Sequence, residues 1–315
     1  LIKLLINNTG VYKYNLMFNM NIKYRVVYGD LLIIIFFFLL SLGLSIITEL
    51  KINNNSKYIF FFISSVLLGF WFHAFHLFLH EAAHYNLHKN RKINDIIAKI
   101  FFIPTLGVKI EDYRKHHWEH HKYIGTTNDT ENSYFSDLSI KSMLLSMVPF
   151  FLILKKGLSS KTNSNENPDN DLKIIKSKTL LIMITFHATV VGLIFINGFK
   201  FTSIVYLFFL VILFPWIAQT RQKLEHRNIN ATKEIDYKKY NHGEYNRIFS
   251  NSFISRYLGA AGFNKHYLHH INPNISYTNF EEYENYIKDN NKDLDDKINK
   301  SKTTYLDIFF RLLKN

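Results

Sequence analysis

The sequence predicts an all-α integral membrane protein of about four transmembrane helices, with a histidine-rich cytosolic cap and one or two interfacial helices. Three observations carry that expectation. Four apolar segments approach the roughly 20 residues needed to cross a hydrocarbon core. Three histidine clusters recur at helical spacing, the first where the second segment ends, the second in the loop that follows it and the third after the fourth segment. Lys and Arg crowd the segments on one side of the implied bilayer, and the opposite loops carry only Lys51, Lys57 and Lys200.

Taken in order, residues 1–30 read as a polar, irregular extension. A start at Met17 or Met20 would set Lys23 and Arg25 directly before the first apolar run, as an uncleaved anchor. Leu31 to Leu50 is the first span, Lys51 to Lys57 a polar linker, and Tyr58 to Leu79 a second span running into the first histidine cluster. Ile96 to Val108, broken by Pro104 and Gly107, is too short to cross and reads as re-entrant or interfacial. Met143 to Leu154, interrupted by Pro149, reads the same way, and Lys155 to Lys178 as a solvated loop. Thr179 to Asn197 and Phe201 to Ala218 are two further spans, and the tight Gly198-Phe199-Lys200 joint makes them an antiparallel hairpin. A domain over 31–280 is expected to be followed by a charged tail, 281–315, in which Asp289 to Ser301 is a solvated helix or loop.

Composition narrows the chemistry. The 315 residues contain no cysteine, so disulfides, thiolate nucleophiles and cysteine-ligated metal sites are excluded. Any metal must be held by nitrogen and oxygen. The formal net charge of +13 comes with abundant Lys, Asn, Ile, Tyr and Phe, the signature of AT-rich coding. It therefore does not imply nucleic acid; its placement carries the information, through membrane topology.

The clusters are His80-Glu81-Ala82-Ala83-His84, His116-His117-Trp118-Glu119-His120-His121 and His266-Tyr267-Leu268-His269-His270. Histidines at i, i+3 and i+4 project from one helix face, and imidazole is the commonest metal ligand near neutral pH. The triplets His117/His120/His121 and His266/His269/His270 repeat one spacing, which random placement of 15 histidines rarely yields. With a cytosolic N-terminus and four crossings, all three clusters fall on the cytosolic face. The fourth span returns there just before His226, which joins them as the ninth candidate ligand, with Gln222 one turn earlier. Glu81, His116, Asp129 and Asn264 are candidates for orienting the ligands. His73 and His76 continue the stripe of His80 and His84 into the second span, where ionisable groups are costly and often functional; they would line a substrate tunnel or relay protons.

Nine imidazoles supply two metal ions with four or five nitrogens each. Open positions on nitrogen ligands suit iron and oxygen chemistry, though ligand softness alone leaves copper and zinc open. His80-Glu81-x-x-His84 also matches a zinc-protease pattern, which leaves the other two clusters unexplained. A metal transporter would instead string histidines along a pore.

At these residues the chain resembles the membrane fatty acid desaturase superfamily, which includes acyl-lipid and acyl-CoA desaturases and carotenoid hydroxylases and ketolases. The match extends to Asn90 to Asp95, Tyr113-Arg114, Thr127 to Asp129 and Asn264. The resemblance implies a non-haem di-iron centre under a cytosolic cap, with O₂ as co-substrate and a lipid or acyl chain as substrate. It also implies two electrons from a separate ferredoxin or cytochrome b5-type donor with its reductase. A further histidine outside the boxes maps to His226. Gln222 stands where some acyl-CoA desaturases carry asparagine. Desaturation is the first expectation, and hydroxylation or ketolation of a carotenoid or other lipid the alternative.

Overall fold

The computed structural model describes residues 4–6, 12–14, 20–139, 141 and 177–314. Among these, four helical stretches are long and apolar enough to cross a membrane. The first is α1 (Tyr24–Lys51), which begins a full turn and more before the apolar run and rises about 42 Å at 1.5 Å per residue. Its hydroxyls do not interrupt it, because Ser41 and Thr48 donate back to the carbonyls of Phe37 and Leu44. The second stretch comprises α2 (Lys57–His76) and the short α3 (Phe78–Ala83), separated by Leu77.

The amphipathic α4 (Arg91–Leu106) follows. Asn90 caps it, accepting from the backbone N–H groups of Lys92 and Ile93. At about 24 Å it is shorter than the hydrocarbon core. It buries Asn94, Ala98, Phe102 and Leu106, and exposes Ile93, Ile96, Ile100 and Phe101, as an interfacial helix would. Contrary to expectation, Pro104 does not break it. The helix passes through and ends only at Gly107, a left-handed cap with φ 70°. The second expected interfacial segment, Met143 to Leu154, and most of the loop 155–178 lie outside the described residues.

After α5 (Ile110–Tyr123), the third span is α6 (Ser177–Ile196), and the turn through Gly198, φ 91°, leads antiparallel into the fourth. That span is α7 (Lys200–Phe208), a π-helical turn Phe209–Leu213, and α8 (Phe214–His226). It runs well past Ala218, where the apolar run ends, because its last two turns enter the cap. His187 on α6 is structural, with ring nitrogens 3.0 Å from both the Tyr206 hydroxyl and the Thr105 carbonyl.

Contacts at the two ends settle the relative directions. At one end Glu49 of α1 accepts from the N–H groups of Phe201 and Thr202, capping α7. At the other, Asp30 meets Arg256 at 2.9 Å and accepts from Tyr277 at 3.0 Å. Lys23 pairs there with Glu282. The start of α1 and the ends of α3 and α8 therefore share one end of the bundle, where the cap sits.

The cap comprises α9 (Phe253–Leu258), α10 (His266–Ile271), α11 (Phe280–Asn290), α12 (Lys292–Ser301) and α13 (Tyr305–Lys314). The charged segment 281–315 is not merely solvated: Tyr283, Ile287, Leu294 and Ile298 share one apolar cluster with Leu268 of α10. Tyr305, Ile308 and Leu312 pack with Leu224 of α8. Among the described residues, strand is confined to two short two-stranded pairings.

Within the bundle, Gly69 of α2 faces the π-turn so closely that an added Cβ would lie 3.0 Å from Cβ of Leu213. Phe72 fills the adjacent space against Phe209 and Phe214, with centroids at 5.7 and 4.8 Å. Gly69→Val therefore overpacks the α2–α8 seam, at a cost of about 1–3 kcal/mol. Thermal unfolding in detergent should show a Tm several degrees lower, and an unchanged Tm would remove this close approach.

Candidate metal centre

The two membrane stretches that end at the cap deliver His80, His84 and His226. His80 lies on α3 and His84 at its C-terminal cap. The carbonyls there are held from outside. Arg114 of α5 donates to the oxygens of Ala82 and Ala83, at 3.1 and 2.9 Å, and pairs with Asp95 at 2.6 Å. Asn94 also donates to Ala82. Tyr85, the next residue, adopts φ 61°, uncommon for a side chain of this size. The Arg91 and Arg114 guanidiniums lie over its ring at 4.7 and 3.9 Å. The helix cannot continue, so His84 turns toward α5.

α5 buries His117, His120 and His121 on one side. α10 contributes His266, His269 and His270, and α8 ends in His226. The nine imidazoles meet at one end of the bundle. Among the described residues, candidate ligand atoms of His80, His84, His117, His121 and His269 lie within 4.8 Å of one another. A second group joins His120, His226 and His270, and a third set joins Glu225, His226 and His266. The last two sets share His226. The groups abut, with the rings of His121 and His270 at 4.8 Å.

In the first group the Nε2 atoms form a run of 2.9 Å contacts, from His80 through His269, His121 and His117 to His84. A proton can bridge one such pair at a time, whereas a cation at their common centre accepts from all five. In the other two groups the Nε2 atoms of His120, His266 and His270 are buried without a hydrogen-bond partner, a costly state for a polar atom. Both observations fit a bound metal.

Carboxylates explain why Nε2 points inward. Glu81 lies 3.1 Å from Nδ1 of His80 and Glu131 2.8 Å from Nδ1 of His117. Asp129 lies 2.8 Å from Nδ1 of His120 and Glu225 3.3 Å from Nδ1 of His266. The Tyr245 carbonyl, at 3.2 Å, does the same for His226. A proton held on Nδ1 leaves the Nε2 lone pair for a metal.

The carboxylates are themselves anchored. Asn86 donates to Glu81 at 2.9 Å. Asp129 accepts from the N–H groups of Gly125 and Glu131 and from the Tyr134 hydroxyl. Arg221 pairs with Glu225 one turn away and covers the Phe263 ring.

Electrostatics follow the same design. Burial pushes His84, His121, His266, His269 and His270 well below the usual imidazole range, and neighbouring imidazoles push them further. They are neutral, the form that binds metal. His120 is the exception. Burial alone would lower it, but the Asp129 and Glu131 carboxylates outweigh burial and raise it to about 9. Burial likewise opposes ionisation of Glu131, and the facing imidazoles His117 and His120 override it and hold its carboxyl low.

The remaining expected residues are placed as follows. Gln222 does not touch an imidazole; its amide donates to the Glu131 carbonyl at 3.1 Å and its oxygen meets Ser133, so it steadies the loop that holds His117. The His116 carbonyl accepts from Thr130 at 2.7 Å. Asn264 turns away, its amide 3.4 Å from Asn251. It lines a cavity of about 360 Å³ between the start of α1 and the cap, beside Asp30, Arg256 and Tyr277. His73 is fully enclosed, and His76 lies half-buried against Phe214 at 5.3 Å. Glu131 and Glu225 were not expected. Glu225 had a signal, the Arg221–Glu225 spacing of i, i+4 beside His226. Glu131 had only its place two residues after Asp129.

The zinc-protease reading loses its base in this arrangement. Glu81 sits behind His80, on the side opposite the converging Nε2 atoms, and is engaged by Asn86.

No solved structure matches this chain. The family model described as fatty acid desaturase matches residues 56–301, from the linker before α2 to the end of α12, and so takes in all nine histidines and the carboxylates behind them. That match spans well over half of the sequence, and with it the chain belongs to the fatty acid desaturase family.

Proposed function

We propose that this protein is a membrane-bound, non-haem di-iron, O₂-dependent desaturase of lipid acyl chains, with its metal centre on the cytosolic face. What supports this reading is the convergence of nine imidazoles into abutting groups at one end of four apolar helices. One iron would be held by His80, His84, His117, His121 and His269. The other would be held by His120, His226, His266 and His270. Bound there, the pair supplies an oxidant able to take hydrogen from an unactivated C–H bond, which no acid, base or nucleophile in the chain can do.

The overall balance is a saturated –CH₂–CH₂– unit, O₂, two electrons and two protons giving an alkene and two waters. The protein's own residues hold and enclose. Glu81, Glu131, Asp129 and Glu225 keep the Nδ1 protons of four ligands in place. Their negative charge also offsets that of the cations in a site with little access to water. Burial of the centre excludes the water that would quench a reactive oxidant. His73 and His76, on α2 beneath His80, would flank the path of the acyl chain. The electrons come from a separate ferredoxin or cytochrome b5-type protein.

Purified protein should contain about two irons per chain. His120→Ala and His270→Ala should each lower that content and abolish activity. Full iron content in both variants would refute a centre shared between α5 and α10. Glu131→Gln, which keeps the shape but not the charge behind His117, should weaken iron binding by about 10–100-fold in a chelator competition. An unchanged affinity would show that Glu131 does not act on the metal.

Lipid analysis of an expressing host should show new unsaturation in the acyl chains. Altered carotenoids with unchanged acyl chains would sink the desaturase reading in favour of a hydroxylase or ketolase. Glu81→Gln separates the protease reading: it should leave measurable iron bound, and any proteolysis that vanished in this variant would overturn the oxidative reading.

A further inference from the structure

α5 shows the cluster a buried side and the outside a short row, Lys115, Trp118 and Lys122, spaced three and four residues apart and all exposed. Trp118 is unusual in this row. It is 41% exposed, yet its ring lies 5.0 Å from that of His84 and 5.7 Å from that of His121. Both imidazoles belong to the five-histidine group, and His84 is itself half-buried. A single side chain thus joins the protein surface to two candidate metal ligands. Indole is rigid and amphipathic, which suits it to protein interfaces.

The surroundings are basic. Lys115 and Lys122 flank the indole. The exposed Arg91 reaches the same region through Tyr85, which follows His84 directly and lies under both Arg91 and Arg114. Lys89 and Lys92 are exposed beside Arg91. Against them stand the exposed Glu111, which Lys99 pairs, the half-buried Glu119, and Asp95, which Arg114 pairs.

We propose that this face is the docking site of an acidic one-electron carrier, an iron–sulfur or haem protein, and that Trp118 is the contact through which electrons pass to the metal centre. The proposal rests on the oxidative reading above. Each encounter oxidises the carrier by one electron and reduces the centre by one, so two encounters supply one turnover. Positive charge around the indole steers and orients the carrier. The indole, closed behind by His84 and His121, provides an aromatic contact of the kind that dominates protein interfaces. Trp118 acts through the imidazoles and is a positioning residue, not a catalytic one.

The test uses the iron-loaded full-length protein in nanodiscs of neutral lipid, with a pre-reduced acidic plant-type ferredoxin as the probe. Reoxidation of the probe is followed anaerobically by stopped flow. Reversing the row with Lys115→Glu and Lys122→Glu together should slow the second-order step by about tenfold or more at low salt. That difference should shrink as added salt screens the charges. Trp118→Phe should slow the step partly and Trp118→Ala more, with iron content unchanged in Trp118→Phe. Reduction by dithionite, which needs no docking, should stay within twofold of the parent in the charge-reversed variant.

Ferredoxin rates insensitive to both sets of substitutions, with dithionite still reducing the protein, would overturn the docking proposal and leave the oxidative reading standing. Protein that holds no iron would overturn both. If the charge reversal leaves electron transfer intact but abolishes binding to vesicles of anionic lipid, the row is a membrane anchor and the proposal fails.

Discussion

The constraint on which the rest of the structure depends is the close packing of nine imidazoles, nearly all of them buried, with their Nε2 atoms facing one another. Such a cluster is unfavourable by itself, since the buried lone pairs repel and lack donors. The fold answers it from behind. Four carboxylates and one carbonyl take Nδ1 of His80, His117, His120, His266 and His226. The carboxylates are steadied in turn: Asn86 holds Glu81, the backbone N–H groups of 125 and 131 hold Asp129, Arg221 holds Glu225, and Gln222 of α8 holds the backbone of Glu131. Two layers of hydrogen bonds thus convert a set of repelling nitrogens into an array preorganised for cations.

Much of this was legible because helical spacing is a strong signal. Four apolar runs of spanning length are hard to mistake, and all four are helices. The repeated triplet picked out His117 over His116, and the structure brings together all nine candidates chosen on spacing and topology. Carboxylates were less legible. Glu131 and Glu225 act across gaps between a loop, α5, α8 and α10, and an isolated Glu beside a cluster resembles any solvated Glu. Asn264 failed for the opposite reason. It stands two residues before His266, yet the short turn Phe263–Lys265 aims its amide at Asn251. Pro104 misled because a proline near a helix end loses one hydrogen bond without forcing a break. The charged 281–315 segment hid its docking face, since its few apolar residues fall at helical spacing among many charges.

The π-turn connects the membrane to the site. It inserts one residue into the fourth span opposite Gly69. Inserting a residue advances the following helix by about 100°, one residue's share of a 3.6-residue turn. Every side chain beyond it is rephased, including Arg221, Gln222, Glu225 and His226. Three of them meet α5, its following loop and α10: Gln222 on Glu131, Glu225 on His266, His226 beside His120 and His270. An uninterrupted α-helix with the same contacts to α2 would present a different face to the cap. The close approach at Gly69 and the aim of His226 are therefore one requirement, met by the same local distortion.

Asp30 shows how the cap is registered on the bundle. A carboxylate in the first span would be costly against lipid, but this one is buried under the cap, paired with Arg256 and hydrogen-bonded by Tyr277. Tyr277 also packs edge-on against Phe78 of α3, at 6.1 Å, two residues before His80. Removing Arg256 would leave the buried Asp30 carboxylate without its counter-charge, and removing Tyr277 would cost it a donor, so the cap favours one seating over α1 and α3. Shape alone would specify this less sharply, because apolar helix ends slide against one another at little cost. The charge at Asp30 thus contributes position more than stability, and position is what the neighbouring imidazoles require.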